Sequence, residues 1–241
     1  MDPYKSVKNS LIILIPRKIR KRMYYYLRSK FYSDIYNEIK QNELLIQDEI
    51  DFFVDLEEKH IRNLRVFLDR NAMLEALPKN TIIAEIGVAE GNFSEKLISI
   101  TRPKKIHLID YWAGEKYDDV MRLHVQQKFK NEIDASMVEI NCGDSVDELS
   151  KFSDGYFDWV YIDTDHSYKT TVQELYICRS KVKENGIIAG HDYITGSWKS
   201  KYRYGVIEAV NEFCIKYNWE IIFLTHEGHR HLSYAIRKIL D

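Results

Sequence analysis

Acidic and imidazole side chains follow two apolar segments in the second half of the chain. Phe157-Asp-Trp-Val-Tyr-Ile162 is followed by Asp163-Thr-Asp-His, and Ile187-Ile-Ala-Gly190 is followed by His-Asp. A carboxylate beside an imidazole can take up a proton near neutral pH, because free histidine has a pKa of about 6.5. The same side chains can bind a divalent cation, or they can form a structural network that caps the next helix. The residue types leave these three alternatives open.

The elements before these side chains must bring them to one place. Both apolar segments are too short for helices and predict buried parallel strands. The carboxyl ends of parallel strands meet at the ligand crevice of an open α/β sheet, so we expect the two polar groups to lie together. For proton transfer the candidates are His166 and His191 as the base, with Asp165 orienting the base or sharing its proton.

A glycine turn lies earlier in the chain, after another short apolar segment. The stretch runs from Thr81 to Gly91 and contains the carboxylates Glu85 and Glu90, and a helical pattern begins at Asn92. A strand, a glycine turn and a helix N-terminus form a nucleotide-binding corner, because glycine lets the backbone approach a ligand closely. The spacing differs from the G-x-G-x-x-G fingerprint of dinucleotide sites, and two carboxylates would repel a pyrophosphate. They favour a cationic ligand such as S-adenosylmethionine, which carries a sulfonium and an ammonium group and no phosphate.

Two further acidic residues follow predicted strands. Asp110 ends the apolar run that begins at Lys105, about 20 residues after the glycine turn, where an acid can accept hydrogen bonds from both ribose hydroxyls. Tyr111 and Trp112 come next, and we expect them to flank an adenosine. Asp144 follows the third predicted strand, although an Asp in a Gly-Asp-Ser turn also describes an ordinary helix N-cap.

Three motifs in this order resemble those of a known family. They are Glu85-Ile-Gly-Val-x-Glu-Gly91, Tyr161-Ile-Asp-x-Asp-His-Ser-Tyr168 and Gly186-Ile-Ile-Ala-Gly-His-Asp-Tyr193. From about Thr81 to Ile236 the chain resembles the class I S-adenosylmethionine-dependent methyltransferases, and in particular the O-methyltransferases of antibiotic and surface sugars. The resemblance implies a Rossmann-like α/β fold. Its seven-stranded, mostly parallel sheet would have an antiparallel last strand, and an N-terminal helical extension would precede it.

The resemblance also implies roles for individual residues. Glu85, Gly87 and Gly91 would hold the methionine end of the cofactor, and Asp144 with the backbone near Ser145 would reach the adenine amine. The complete set of expected cofactor contacts is Glu85, Gly87, Gly91, Asp110, Tyr111, Trp112, Asp144, Ser145 and Asp163.

Metal-dependent relatives bind their ion at the ends of the fourth and fifth strands. The matching positions here are Asp163, His191 and Asp192. Oxygen ligands would suit Mg²⁺. The histidine departs from that pattern and favours Mn²⁺ or Fe²⁺. The expected cofactors are therefore S-adenosylmethionine and a divalent metal, Mg²⁺ or Mn²⁺.

Composition limits the class of protein. The chain has 241 residues, 45% of them apolar and 30% charged, which is ordinary for a soluble α/β protein. The net charge of −2 argues against general nucleic-acid affinity. The three cysteines, at positions 142, 178 and 214, lack metal spacing and suit a reducing cytoplasm.

The charge is unevenly distributed. Residues 1–30 contain nine Lys or Arg and one acid, Asp2, which leaves −10 for the rest of the chain. Basic and aromatic residues alternate from Arg17 to Arg28, which predicts contact with a membrane surface or another polyanion. Membrane contact would place the protein at the inner membrane face. The alternative is docking on the protein's own acidic region or on a second subunit of a homo-oligomer.

We therefore predict two regions. Residues 1–78 form a basic arm and a helical extension, with helical spacing of apolar residues over 34–69 (Ile46, Ile50, Phe53, Ile61, Leu64 and Leu68), and residues 79–241 form the catalytic domain. The predicted activity is methylation of a hydroxyl on a sugar, a polyhydroxylated small molecule or a glycan precursor. Two rivals are an NAD-dependent α/β enzyme and a non-enzymatic membrane-surface adaptor with a degenerate core. We expect His226, His229 and His231 to form a solvated hairpin turn, with one of them able to line an acceptor pocket.

Overall fold

A computed structural model describes residues 16–49, 55–114, 117–197, 202–227 and 231–240. The helices are α1 (Arg17–Glu49), α2 (Arg70–Ala76), α3 (Asn92–Thr101), α4 (Asp119–Lys128), α5 (Lys130–Asp134), α6 (Ser145–Ser150), α7 (Tyr168–Lys181) and α8 (Val206–Tyr217), with a 3₁₀ turn at Glu58–His60. The strands are β1 (Arg65–Phe67), β2 (Ile82–Ile86), β3 (Lys105–Asp110), β4 (Val138–Cys142), β5 (Phe157–Ile162), β6 (Val182–Gly190), β7 (Gly196–Ser197), β8 (Tyr202–Arg203), β9 (Trp219–Thr225) and β10 (Tyr234–Lys238).

The main sheet confirms the predicted fold class. Its order is β1-β9-β10-β6-β5-β2-β3-β4, and β10 runs antiparallel to both β6 and β9 while the other pairs are parallel. The sheet has eight strands, so the prediction of seven was wrong.

The additional strand comes from a segment that was predicted to be helical. Arg65–Phe67 pairs in parallel with Phe223–Thr225 of β9. Its helical spacing was misleading, because a short β-branched and aromatic segment can satisfy an open sheet edge, and tertiary pairing then overrides local pattern. Two residues of the same predicted helical pattern, Ile50 and Phe53, lie outside the described residues.

Both faces of the sheet are covered. On β5, Val160 belongs to the buried cluster that includes residues of α7 and α8, whereas Trp159 and Tyr161 belong to the cluster with residues of α2, α3 and α4. Successive side chains of a strand point to opposite faces. A strand buried on both faces therefore reads as the continuous apolar run seen in the sequence.

Backbone hydrogen bonds extend the sheet one residue beyond its strands. The amides of Gly87, Asp163 and His191 donate to the carbonyls of the neighbouring strand's last residues, at 2.9, 2.8 and 2.9 Å. Gly143 does the same to Asp110 at 3.0 Å. The polar residues after β2, β3, β4, β5 and β6 therefore stand side by side.

The chain divides into two compact units, residues 1–45 with 197–203 and residues 46–196 with 204–241. Most of α1 lies in the first unit. The boundary after residue 78 stays a prediction. Within the described residues, no helix is both long and apolar enough to cross a bilayer.

Candidate active site

A cleft of about 410 Å³ opens at the carboxyl ends of the parallel strands. Many of the residues expected to contact a cofactor line it. They are Gly87, Asp110, Tyr111, Asp144, Ser145 and Asp163, and Asp165 joins them. Three other expected contacts, Glu85, Gly91 and Trp112, are not among the lining residues. The cleft thus brings together acids from three successive strand ends.

The carboxylate of Asp110 holds the glycine turn in place. Its Oδ2 accepts hydrogen bonds from the amides of Val88 and Ala89, both at 2.8 Å, and its Oδ1 accepts a longer one from Trp112 at 3.3 Å. A carboxylate offers about four acceptor positions. Asp110 therefore orders the turn and still has acceptor capacity facing the cleft.

Trp112 supports the turn from below. Its side chain is buried, and its indole Nε1 donates to the carbonyl of Ala89 at 3.1 Å. The ring expected to flank an adenosine is thus committed to packing. Its neighbour Tyr111 remains exposed at the cleft.

The two glycines of the turn serve different contacts. Gly87 has φ +87°, and a Cβ there would lie 2.0 Å from the carbonyl oxygen of Asp163. Gly91 has φ +70° and caps α3, and a Cβ there would lie 2.8 Å from the ring of Phe129. Gly87 therefore permits the close approach of the β2 and β5 ends, whereas Gly91 permits packing behind the turn.

Glu85 lies beneath the cleft. It is buried and accepts a hydrogen bond from the hydroxyl of Ser94. Burial raises its pKa to about 8, with smaller contributions from the charges of Asp163 and Asp110, while Ser94 opposes the shift. At neutral pH the side chain is therefore largely protonated and supports the turn as a neutral group.

Glu85→Gln is expected to flatten part of the pH dependence of stability. The folded pKa of Glu85 lies above its ordinary value of 4.5, so its contribution is full below that value and is lost as pH rises through 8. The loss is about 1.4 kcal/mol of unfolding free energy per pH unit within that window. Urea unfolding from pH 5 to pH 8.5 should show the wild type weakening relative to the glutamine variant. The exposed Glu90→Gln is the control, and a constant difference between Glu85→Gln and wild type would contradict the assignment.

Asp144 serves as a helix cap and also faces the cleft. Its Oδ1 accepts hydrogen bonds from the amides of Val146 and Asp147, at 3.0 and 3.3 Å, at the start of α6. Capping uses one oxygen, and the side chain also lines the cleft. The two interpretations of this turn are therefore compatible.

A second carboxyl at the same wall was missed by the sequence analysis. Glu174 of α7 is buried and accepts a hydrogen bond from the hydroxyl of Thr164 at 2.8 Å. Burial raises its pKa to about 7. Its sequence neighbours are ordinary helix residues, so only the fold reveals its place at the cleft wall.

The polar residues after β5 and β6 meet around Asp192. This carboxylate is buried, and its Oδ2 lies 3.0 Å from Nε2 of His166 while its Oδ1 contacts Nδ1 of His231. Burial lowers the pKa of His166, but the hydrogen bond and charge of Asp192, with the charges of Asp163 and Asp165, outweigh it and raise the pKa overall. Asp192 therefore orients His166.

The predicted partner Asp165 has a different role. Its carboxylate accepts hydrogen bonds from the amide of Ser167 at 2.9 Å and from the hydroxyl of Thr170 at 3.0 Å. These contacts secure the start of α7. Asp192 occupies the orienting position because His166 turns toward the end of β6.

Two of these residues have a backbone conformation that side chains other than glycine rarely adopt. His166 has φ +64° and Asp192 has φ +62°. Left-handed backbone costs about 1–2 kcal/mol for such residues. The surrounding structure offsets this cost at both ends of the same hydrogen bond, as is common at functional sites.

His191 and His231 differ in environment. His191 is held through Nδ1 by the hydroxyl of Ser233 at 3.0 Å, and burial with the charge of Arg70 lowers its pKa to about 3. It is therefore neutral at pH 7. His231, expected in a solvated turn, instead reaches Asp192 because the strand before it folds back beside β6. His226 is exposed, and His229 lies outside the described residues.

Arg70 is a candidate that sequence reasoning missed. Its Nη1 lies 3.4 Å from Oδ2 of Asp163, and its guanidinium lies 4.4 Å from the ring centroid of Phe93. Burial raises the pKa of Asp163 to about 6, and the charges of His166 and Arg70 oppose that shift. Arg70 precedes the recognisable motifs, so nothing in its sequence context pointed to the cleft.

The donor atoms suit a divalent cation in two overlapping sets. One ligand atom each from Asp163, His166 and Asp192 lies within 4.8 Å of the others, and the same holds for His191, Asp192 and His231. The predicted set of Asp163, His191 and Asp192 is thus divided between them. Asp192 belongs to both.

Comparison with known proteins agrees with this architecture. Residues 84–193 match a family model described as "Methyltransferase domain". This chain contains a methyltransferase domain. No curated protein sequence matches the chain.

Solved structures extend the similarity beyond the matched residues. A SAM-dependent methyltransferase from Aquifex aeolicus aligns over 75% of this chain and 93% of its own, with 12% identity and a TM-score of 0.53. The tRNA methyltransferase TrmK of B. subtilis aligns over 73% of this chain and 67% of its own, with 12% identity and a TM-score of 0.53. Two longer methyltransferases are matched over 43% and 51% of their own lengths. At such identities the likeness shows the shared fold.

Proposed function

We propose that this protein is an S-adenosylmethionine-dependent O-methyltransferase that acts on a hydroxyl of a sugar or another polyhydroxylated small molecule. One observation carries the proposal. Asp110, Asp144 and Asp163 line a single cleft beside the glycine turn, and the last of them adjoins the pair of His166 and Asp192. A cofactor cleft and a proton acceptor are thus contiguous.

The cleft suits the cofactor part by part. The free acceptor capacity of Asp110 would bind the ribose hydroxyls, and Asp144 would accept a hydrogen bond from the adenine amine. The methionine end would lie against the glycine turn near Asp163, where Arg70 offers a cation for its carboxylate. A pyrophosphate would meet several carboxylates here, which disfavours the NAD-dependent rival.

Methyl transfer from a sulfonium is an in-line displacement. The acceptor oxygen bonds to the methyl carbon, the carbon–sulfur bond breaks, and its electron pair stays on sulfur as S-adenosylhomocysteine forms. The hydroxyl proton must leave. Asp192 engages Nε2–H of His166, which leaves Nδ1 free to accept that proton. Holding both reactants in line supplies much of the remaining acceleration.

A metal-assisted variant is the second candidate, because the donor set fits. Asp163, His166 and Asp192 would hold a divalent ion, and imidazole in the set favours Mn²⁺ over Mg²⁺. Such an ion would lower the pKa of a bound hydroxyl. Activity that survives EDTA dialysis would exclude this variant, and activity lost to EDTA but restored by Mn²⁺ would support it.

The direct test is calorimetric titration with S-adenosylhomocysteine and, separately, with NAD. Binding of the first alone supports the proposal, and binding of NAD alone overturns it. Transfer of a radiolabelled methyl group to a panel of nucleotide sugars and glycan precursors then identifies the acceptor. Labelling of RNA instead would contradict a small-molecule acceptor. The sparse, free thiols suit a cytoplasmic site of action.

Asp110→Asn is expected to weaken S-adenosylhomocysteine binding about 30- to 100-fold, since charge-assisted hydrogen bonds contribute roughly 2–3 kcal/mol. The variant would lose a carboxylate that both orders the turn and faces the ribose. Isothermal titration at constant salt measures the effect.

Asp158→Asn is the matched control for that variant. Asp158 accepts a hydrogen bond from the amide of Ile82 at 2.9 Å, at the opposite end of β2. Its replacement should lower stability and leave cofactor affinity nearly unchanged. Equal affinity losses in the two variants would show that Asp110 acts only through folding.

A further inference from the structure

The N-terminal half of α1 concentrates positive charge and exposes apolar side chains. Between residues 16 and 33 there is no acid, and seven cations are present: Arg17, Lys18, Arg20, Lys21, Arg22, Arg28 and Lys30. The rest of the chain from residue 31 carries −10. This charge is therefore confined to one helix, and we refer to residues 17–32 as the basic-aromatic segment.

The apolar side chains of this segment are open to solvent. Ile19, Tyr25 and Tyr26 are 55%, 54% and 66% exposed, and Met23 and Leu27 are about two-fifths exposed. A water-facing helix normally carries polar residues on its open surface. Tyrosine rings are amphipathic and prefer the headgroup layer of a bilayer, where the ring is shielded and the hydroxyl stays hydrated.

Cations and rings alternate around the helix. The guanidinium of Arg28 lies 5.7 Å from the ring centroid of Tyr32, one turn further on. Long basic side chains can extend their charge toward phosphates while their alkyl stems remain in an apolar layer. In the sequence, five apolar residues (Leu11 to Ile15) directly precede this helix. Both features suit a helix lying within the headgroups.

RNA is a poorer fit to the same surface. Aromatic rings can stack on bases, but the exposed aliphatic side chains of Ile19, Met23 and Leu27 would gain little from them. A polynucleotide would also extend beyond one helix, toward a chain whose remaining charge is negative. A bilayer meets the basic-aromatic segment alone and takes up its aliphatic groups.

We propose that residues 17–32 bind the surface of a bilayer containing anionic lipid. Lys and Arg provide attraction to the lipid charge, and the exposed rings and aliphatic groups provide burial in the headgroup layer. This contact is independent of the methyl-transfer proposal, since no residue of the segment belongs to the cleft.

Co-sedimentation of the full chain with vesicles tests the proposal. Vesicles of phosphatidylcholine alone are compared with vesicles containing about a third phosphatidylglycerol. The partition coefficient should be at least tenfold higher on the anionic vesicles and should fall steeply between about 0.1 and 0.5 M salt. The triple variant Lys18→Glu, Lys21→Glu, Arg22→Glu should lose this binding by more than tenfold, and Tyr25→Ser with Tyr26→Ser should weaken it severalfold.

The matched control reverses three exposed charges outside α1, with Lys96→Glu, Arg102→Glu and Lys104→Glu, and should keep vesicle binding. Glutamate and lysine have similar helix propensities, and unchanged circular dichroism would show that α1 persists in the test variant. Equal binding to neutral and anionic vesicles would overturn the proposal. So would vesicle binding retained by the α1 variant, or tighter binding to single-stranded RNA. An α1-dependent dimer without vesicle binding would assign the surface to a second copy instead.

Discussion

Gly87→Ala is expected to abolish detectable S-adenosylhomocysteine binding and to destabilise the catalytic domain by roughly 3 kcal/mol or more. The added Cβ would lie 2.0 Å from the carbonyl oxygen of Asp163, and the backbone at Gly87 has φ +87°. Both obstacles are backbone features, so no side-chain rotation relieves them. The ends of β2 and β5 must separate, and the cleft between them loses its shape.

Gly155→Ala separates the two causes. Gly155 also has positive φ, +66°, but a Cβ there would meet nothing within 4 Å. Its replacement should cost about 1–2 kcal/mol from backbone strain alone and leave cofactor binding intact. Chemical unfolding and titration calorimetry on both variants measure the difference. If Gly87→Ala behaves like Gly155→Ala, the close approach of the two strand ends is not what shapes the cofactor site.

His166→Gln is expected to lower the rate of methyl transfer about a thousandfold, within the usual range for loss of a general base. Affinity for S-adenosylhomocysteine should change less than about threefold, because the imidazole receives the proton and does not hold the cofactor. Asp192→Asn should have a similar effect, since an amide no longer fixes the tautomer that leaves Nδ1 free. Single-turnover transfer of labelled methyl and binding titrations measure the two quantities separately.

His124→Gln is the control for the catalytic histidine. His124 is exposed on α4, outside the cleft. It should transfer methyl groups at the wild-type rate. A His166→Gln variant with the same rate as His124→Gln would exclude His166 as the base, and a variant that fails to bind cofactor would show that the histidine supports the cleft.

Local pattern predicted the strands that carry the site. A parallel strand covered on both faces must be apolar throughout, so the segments ending at Ile86, Asp110 and Ile162 were recognisable as strands. The strand after residue 64 was not recognisable, because three residues are too few to show a period and their pairing with β9 is tertiary.

The cluster around Asp192 shows what local pattern omits. The sequence offered His166, His191 and two carboxylates without ordering them. Left-handed backbone at His166 and Asp192 turns these two toward each other, and the returning hairpin adds His231. Such conformations cost free energy locally and persist only because distant contacts impose them.

The sequence by itself determined an α/β sheet, a glycine turn and acids at successive strand ends, because strand periodicity and turn chemistry are local properties. Only the tertiary structure decided which acids share a cleft, that Glu85 is buried beneath it, and that Arg70 and Glu174 stand at its walls. Burial and charge pairing depend on neighbours far apart in the chain. A residue's type sets what it can do, and those neighbours set its pKa and its partner.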